Sequence, residues 1–168
     1  MRDTQRATVY SVEDQVGRSL LRGGVVEFFD STLVLPAERR FADIDSICAY
    51  VQHILDLLAS NGKRCLAVQV RERRGATRAH YEAATSARSA TIAVPLQLSA
   101  GTRWAARETV VLHELTHHVI AGEDATHGPR FCGALIEMYR LALGAEAALL
   151  LRSAMAEAGL SVDMRGLP

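Results

Sequence analysis

The chain has 168 residues, of which 49% are hydrophobic and 23% charged, a composition typical of a globular domain that excludes a disordered protein. Nineteen basic residues balance nineteen acidic ones, which disfavours binding to nucleic acid or to an anionic membrane surface. No apolar run approaches the roughly 18 to 20 residues of a membrane span, and residues 1–6 lack the apolar core of a signal peptide. We therefore expect a cytoplasmic protein with no membrane span and a single domain over residues 1–168.

The spacing of apolar residues predicts an α+β fold in which helices carry most of the chain. Apolar residues alternate along Ile92–Leu98, and Pro95 among them removes one ladder donor, so this segment is predicted to be an edge strand. The helix that follows is expected to lie at the centre, packed beneath a small mixed sheet. In chain order the predicted elements are helix 5–21, strand 32–35, a helix from 43 to the stop at 61–62, strand 66–70, a polar loop or hairpin at 71–88, strand 92–98, helix 102–121, helix 129–143 and helix 145–158.

Three cysteines, Cys48, Cys65 and Cys132, are widely spaced along the chain. An odd number at such spacing fits neither a disulfide framework nor a CxxC metal site. Because a free cysteine behaves as a small hydrophobic residue, we expect three buried thiols.

A metal-binding pattern stands within the predicted helix 102–121, which Thr102 can cap and Gly122 can end. It reads His113-Glu114-Leu115-Thr116-His117, and residues four apart lie one above the other on a helix, so both imidazoles can reach one ion. Zinc accepts such nitrogen ligands in tetrahedral sites. Glu114 would stand beside the ion without binding it, where its carboxylate can take a proton from water. The pattern therefore predicts a zinc site with Glu114 as general base.

Several residues can supply a third ligand. We favour His127, because it follows the predicted helix stop at Gly122 and stands directly before Gly128 and Pro129, where the next helix begins. Glu137 on that next helix and the acidic pair Glu123 and Asp124 are the alternatives. Three protein ligands with one open position are typical of catalytic zinc, whereas four would indicate a structural site.

These segments resemble known metalloproteases. His113–His117 followed by His127–Phe131 is similar to the SprT-like and WLM-type minimal zincins, and the resemblance covers about residues 103–131. More broadly, Leu35–Phe41, Ala79–Tyr81 and Ile92–Pro95 resemble a small group of actinobacterial metallohydrolases without a known substrate. The resemblance implies a single minimal zincin-like domain in which a third histidine opens the helix after the motif.

Other polar residues are candidates for supporting or surface roles. Tyr81, His80 and Tyr139 are candidates for stabilising a developing oxyanion. His118 points about 100° away from His117 on a helix, which favours a supporting or surface position. The basic segment 71–78 has acidic neighbours and no aromatic stacking pattern, which is typical of a solvated hairpin.

The sequence thus predicts a zinc-dependent metallohydrolase with His113, His117 and His127 as ligands, Glu114 as general base, and a peptide or protein as substrate. The predicted edge strand Ile92–Leu98 would bind an extended peptide through its main chain. Two alternatives remain: a metal-dependent nuclease or RNA-maturation factor, which the neutral charge disfavours, and a regulatory, antirepressor-like protein that acts on one partner with little general turnover.

Overall fold

The computed structural model describes residues 3–63, 65–75, 78–96, 104–122 and 126–168. These residues form five α-helices, five strands and one short 3-10 helix, which confirms the predicted α+β class. The helices are α1 (Arg6–Arg22), α2 (Ile44–Ser60), α3 (Glu108–Val119), α4 (Pro129–Leu143) and α5 (Ala145–Glu157), and the strands are β1 (Gly24–Phe28), β2 (Ser31–Leu35), β3 (Gln69–Glu72), β4 (His80–Glu82) and β5 (Thr91–Val94).

The chain divides into two compact units, and the first combines the chain up to Glu38 with Gly122–Leu167. In this unit α4 packs against α5, and α1 and β2 also pack against α5. Helix α1 follows the predicted pattern, because its buried residues recur every three or four positions. They are Val9, Val12, Val16, Gly17 and Leu20.

A close backbone approach joins α4 to the segment after α5 in the same unit. The backbone N–H of Asp163 donates to the carbonyl oxygen of Pro129 at 2.9 Å. Gly133 makes room for this segment, because a Cβ atom there would lie 1.8 Å from the carbonyl oxygen of Asp163. Nearby, the buried Arg130 donates from its guanidinium to the carbonyl oxygen of Gly166 at 2.6 Å.

The second unit, built mainly from Arg39–Ala121, holds a three-stranded sheet in the order β3-β5-β4. Strand β5 is parallel to β3 and antiparallel to β4. Helix α2 packs against β3 and α3, and α3 also packs against β4. Asp43 and Ser46 form a capping box at the start of α2, since the Asp43 carboxylate accepts from the Ser46 N–H and the Ser46 side chain is paired with the Asp43 N–H.

The prediction of an edge strand at Ile92–Leu98 is wrong. Strand β5 ends at Val94 and pairs with a neighbour on each side, so it is the central strand of the sheet. All four of its residues are buried, as expected for a strand covered on both faces. Pro95 comes just after the last paired residue, so its missing N–H removes no bond from the ladder. Gln97 and Leu98 lie outside the described residues.

Other boundaries also differ from the predictions. Strand β1, which pairs with β2 in a hairpin, was missed, and β3 begins three residues later than predicted. Of the two predictions for segment 71–88, a loop or a hairpin, the described residues favour the loop, because β4 pairs with β5 and not with β3. Of the cysteines, only Cys132 is buried, whereas Cys65 is half-buried and Cys48 is exposed.

The observed limits of helices α2, α4 and α5 agree with the predicted limits to within one residue. None of the helices among the described residues has the length and the apolar character that crossing a bilayer requires.

Candidate metal centre

Helix α3 carries the predicted motif in a buried setting. Ten of its residues are buried, which is typical of a helix packed on all sides. The rings of His113 and His117, one turn apart, have centroids 5.0 Å apart. His113 is buried and His117 half-buried, and Glu114 between them is 6% exposed. The motif thus presents two imidazoles and one carboxylate from a single turn of a buried helix.

The start of α3 is held by contacts with residues 39–41 of the same unit. Helix α3 begins at Glu108 and not at about 102, because Trp104–Ala106 form the short 3-10 helix and Arg107 is extended and pairs with Arg40. Glu108 is fully buried, and its carboxylate accepts from the Arg39 guanidinium and, at 2.7 Å, from the Arg39 backbone N–H. Thr102, the predicted cap, lies outside the described residues.

The end of α3 agrees with the predicted stop. The helix ends at Val119, and Gly122 follows with φ +93°. This left-handed backbone conformation costs glycine little, and other residues rarely adopt it. The chain therefore leaves the helix axis here, shortly before His127.

His127 is held by residues of the first unit. It is 5% exposed and stands before Pro129, the first residue of α4. Its Nδ1 lies 2.6 Å from Oδ2 of Asp3, and its ring packs against Phe131 and Tyr10, with centroid distances of 4.8 and 5.3 Å. Burial acts to raise the pKa of the Asp3 carboxyl, but the hydrogen bonds and charge of His127 outweigh it, so this pKa is lowered overall.

The structure brings the three predicted ligands together. His113, His117 and His127 each offer one ring nitrogen, and these nitrogens all lie within 4.8 Å of one another. Two bonds to zinc of about 2.0 to 2.1 Å each can span separations of up to about 4 Å, so the upper limit of 4.8 Å lies somewhat above the spacing that a shared zinc ion requires. Imidazole nitrogens are ligands that suit zinc.

The structure does not group the alternative third ligands with His113 and His117 among the described residues. Glu137 does not belong to this group among the described residues, and its carboxylate accepts a hydrogen bond from Nε of Arg140 at 2.9 Å. Glu123 and Asp124 lie outside the described residues. The geometry therefore favours His127 over Glu137, and metal binding itself stays a prediction.

His118, next to His117, has a supporting position. It is buried, its Nε2 donates to the carbonyl oxygen of Leu66 at 2.8 Å, and its Nδ1 lies 3.2 Å from the hydroxyl of Tyr81. Because a carbonyl can only accept, the proton is on Nε2, and Nδ1 accepts from the tyrosine. The sequence did not reveal this network, since no local pattern connects positions 66, 81 and 118.

The three oxyanion candidates differ in their surroundings. The Tyr81 hydroxyl is bound to His118, and burial raises the pKa of Tyr81. His80 is exposed on β4, and Tyr139 is fully buried in α4. Among the described residues, His80 is not part of the histidine group, and a role in catalysis stays a prediction for each of the three.

No family model, curated protein or solved structure matches the chain significantly. The resemblance to minimal zincins therefore rests on the motif and its neighbouring residues, and the function must be argued from the chemistry of the site.

Proposed function

We propose that the protein is a zinc-dependent metallohydrolase that cleaves peptide bonds. The observation that carries the proposal is the convergence of His113, His117 and His127, whose ring nitrogens lie within 4.8 Å of one another. Three imidazoles leave a fourth position for water or substrate, as catalytic zinc sites do. A zinc ion bound there would polarise a carbonyl oxygen and make a neighbouring water more acidic.

Glu114 supplies the proton transfer. It follows His113 on the same buried helix turn and is 6% exposed. Its carboxylate accepts a proton from the attacking water while the water oxygen bonds to the carbonyl carbon. The same carboxyl then gives that proton to the leaving amine nitrogen as the carbon–nitrogen bond breaks.

The substrate class follows from charge and chemistry. Equal numbers of acidic and basic residues give the chain no net positive charge to attract a phosphate backbone. A polarised carbonyl and a carboxylate base are the parts that amide hydrolysis requires. We therefore favour a peptide or protein substrate over a nucleic acid.

The test combines metal analysis with an assay on an unfolded protein such as casein. We expect about one zinc per chain in the wild-type protein. Glu114→Gln should keep the metal and lower hydrolysis by at least about 100-fold, the lower range for loss of a general base. His117→Ala should lose the metal.

Two exposed residues give matched controls, His53 on α2 for the histidine and Glu157 on α5 for the glutamate. His53→Ala and Glu157→Gln should keep both zinc and activity. A wild-type protein that binds no zinc would overturn the proposal. Loss of metal in Glu114→Gln would make Glu114 a ligand and overturn the mechanism.

A further inference from the structure

His127 differs from the other two histidines of the group in how it is positioned. His113 and His117 stand on one helix, whose backbone sets their spacing. His127 stands before α4, outside any helix. Its orientation must therefore come from side chains around it.

Asp3 makes the polar contacts that fix His127. Its Oδ2 accepts from Nδ1 of His127 at 2.6 Å and lies 3.4 Å from the backbone N–H of the same residue. Its other oxygen, Oδ1, accepts from the backbone N–H of Arg6, the first residue of α1, at 3.2 Å. Both carboxylate oxygens are thus engaged, and the carboxylate itself is held in place.

This contact selects one form of the imidazole. A carboxylate accepts the proton on Nδ1, which leaves the ring lone pair on Nε2. Metal-binding histidines commonly donate their second ring N–H to such a carboxylate, which fixes the ring and makes the binding nitrogen more basic. Phe131 and Tyr10 pack against the ring at interplanar angles of 61° and 54° and restrict its rotation.

We infer that Asp3 is the positioning residue for the third metal ligand, and that the segment leading into α1 is therefore part of the metal centre. This inference rests on the proposed metal binding. Asp3 acts through His127 and does not touch the ion.

The experiment measures zinc affinity by competition with a chromophoric chelator. Asp3→Ala should weaken zinc binding by about 10- to 100-fold, the range found when such a carboxylate partner is removed. Asp3→Asn should weaken it less, because the amide oxygen can still accept from Nδ1. Asp14→Asn removes the same charge from an exposed position of α1 and should leave the affinity unchanged.

Two further measurements separate positioning from general support of the fold. In a His127→Ala background, Asp3→Ala should cause no further loss of zinc affinity, whereas independent effects would multiply. In the metal-free protein, nitrogen NMR of His127 should show the proton on Nδ1, and Asp3→Ala should remove that preference.

The outcomes distinguish this inference from the proposed function. Zinc binding that His117→Ala abolishes but Asp3→Ala leaves unchanged would overturn the role of Asp3 and leave the metal centre standing. Equal losses from Asp3→Ala with and without His127 would also overturn it. A wild-type protein that binds no zinc would overturn the proposed function itself.

Discussion

The candidate metal centre has two parts that are built in different ways. The helix-borne part, His113, Glu114 and His117, comes from a single turn of α3. The loop-borne part, His127 with Asp3, depends on a contact between residues 124 positions apart. Local backbone geometry arranges the first part, whereas the second exists only when distant segments of the chain have packed together. Candidate ligands can therefore be found from their spacing in the sequence, whereas the groups that would orient them depend on tertiary contacts.

The largest effect on stability is expected at Gly133, where α4 lies against the segment after α5. Like the pairing of His127 with Asp3, this contact joins parts of the chain that are distant in sequence. Gly133→Ala places a Cβ atom 1.8 Å from the carbonyl oxygen of Asp163. Because a backbone segment must shift, we expect a loss of about 1 to 3 kcal/mol or more in the free energy of unfolding. Urea denaturation followed by circular dichroism measures it.

Arg140→Ala is the control for Gly133→Ala, since Arg140 is exposed on the same helix and forms an ion pair with Glu137 at the surface. It should change the free energy of unfolding by less than about 1 kcal/mol. If Gly133→Ala is as stable as this control, the prediction that a Cβ atom at position 133 displaces the backbone of Asp163 is wrong.

A smaller effect on stability is expected at Tyr81, whose hydroxyl is hydrogen-bonded to His118 of α3. Tyr81→Phe removes the hydroxyl that donates to His118, which should cost about 0.5 to 1.5 kcal/mol of stability. We expect the rate of casein hydrolysis to stay the same. Removal of an oxyanion donor costs about 100- to 1000-fold in rate, so a loss of that size would instead assign Tyr81 to catalysis.

The smallest effect is expected at the capping box of α2, a feature fixed by local sequence. The backbone and side chain of Ser46 lower the pKa of Asp43 from its usual 3.8. A lowered pKa means that the ionised form stabilises the fold, so the contribution is present above pH 3.8 and is lost as the pH falls through the folded-state pKa. Asp43→Ala should therefore lower the melting temperature by only about 1 to 2 °C at pH 7.

The difference in melting temperature between Asp43→Ala and the wild-type protein should shrink at lower pH, because the Asp43 carboxyl is then protonated and, like alanine, carries no charge. Asp14→Ala on the exposed face of α1 is the control and should show no such difference. A gap between Asp43→Ala and the wild type that persists unchanged at pH 2 would contradict the assignment.

Much of the fold could be predicted because its signals are local. The amphipathic spacing within α2 and the glycine and proline around α4 set their limits to within one residue. The same holds for His113 and His117, whose spacing of four residues is a property of any helix. His127 could be proposed because the signals that end one helix and begin the next lie close to it.

The remaining features could not be predicted because they depend on pairing at a distance. Alternation in Ile92–Leu98 could not tell an edge strand from a central one, since this depends on which strands pair with β5. The early start predicted for α3 is wrong because Arg107 is extended and pairs with Arg40, a residue 67 positions away, which separates α3 from the 3-10 helix before it. Nothing near Asp3 in the sequence points to His127.

The discontinuous first unit has a consequence for folding during synthesis. Asp3 leaves the ribosome 124 residues before His127, which at roughly 5 to 20 residues per second is roughly 6 to 25 s earlier. Helix α5, against which α1 packs, is synthesised later still. During this interval α5 is not yet present to cover the apolar face of α1. The nascent chain should therefore be a substrate for holding chaperones, and slowing translation should lengthen its exposure to aggregation.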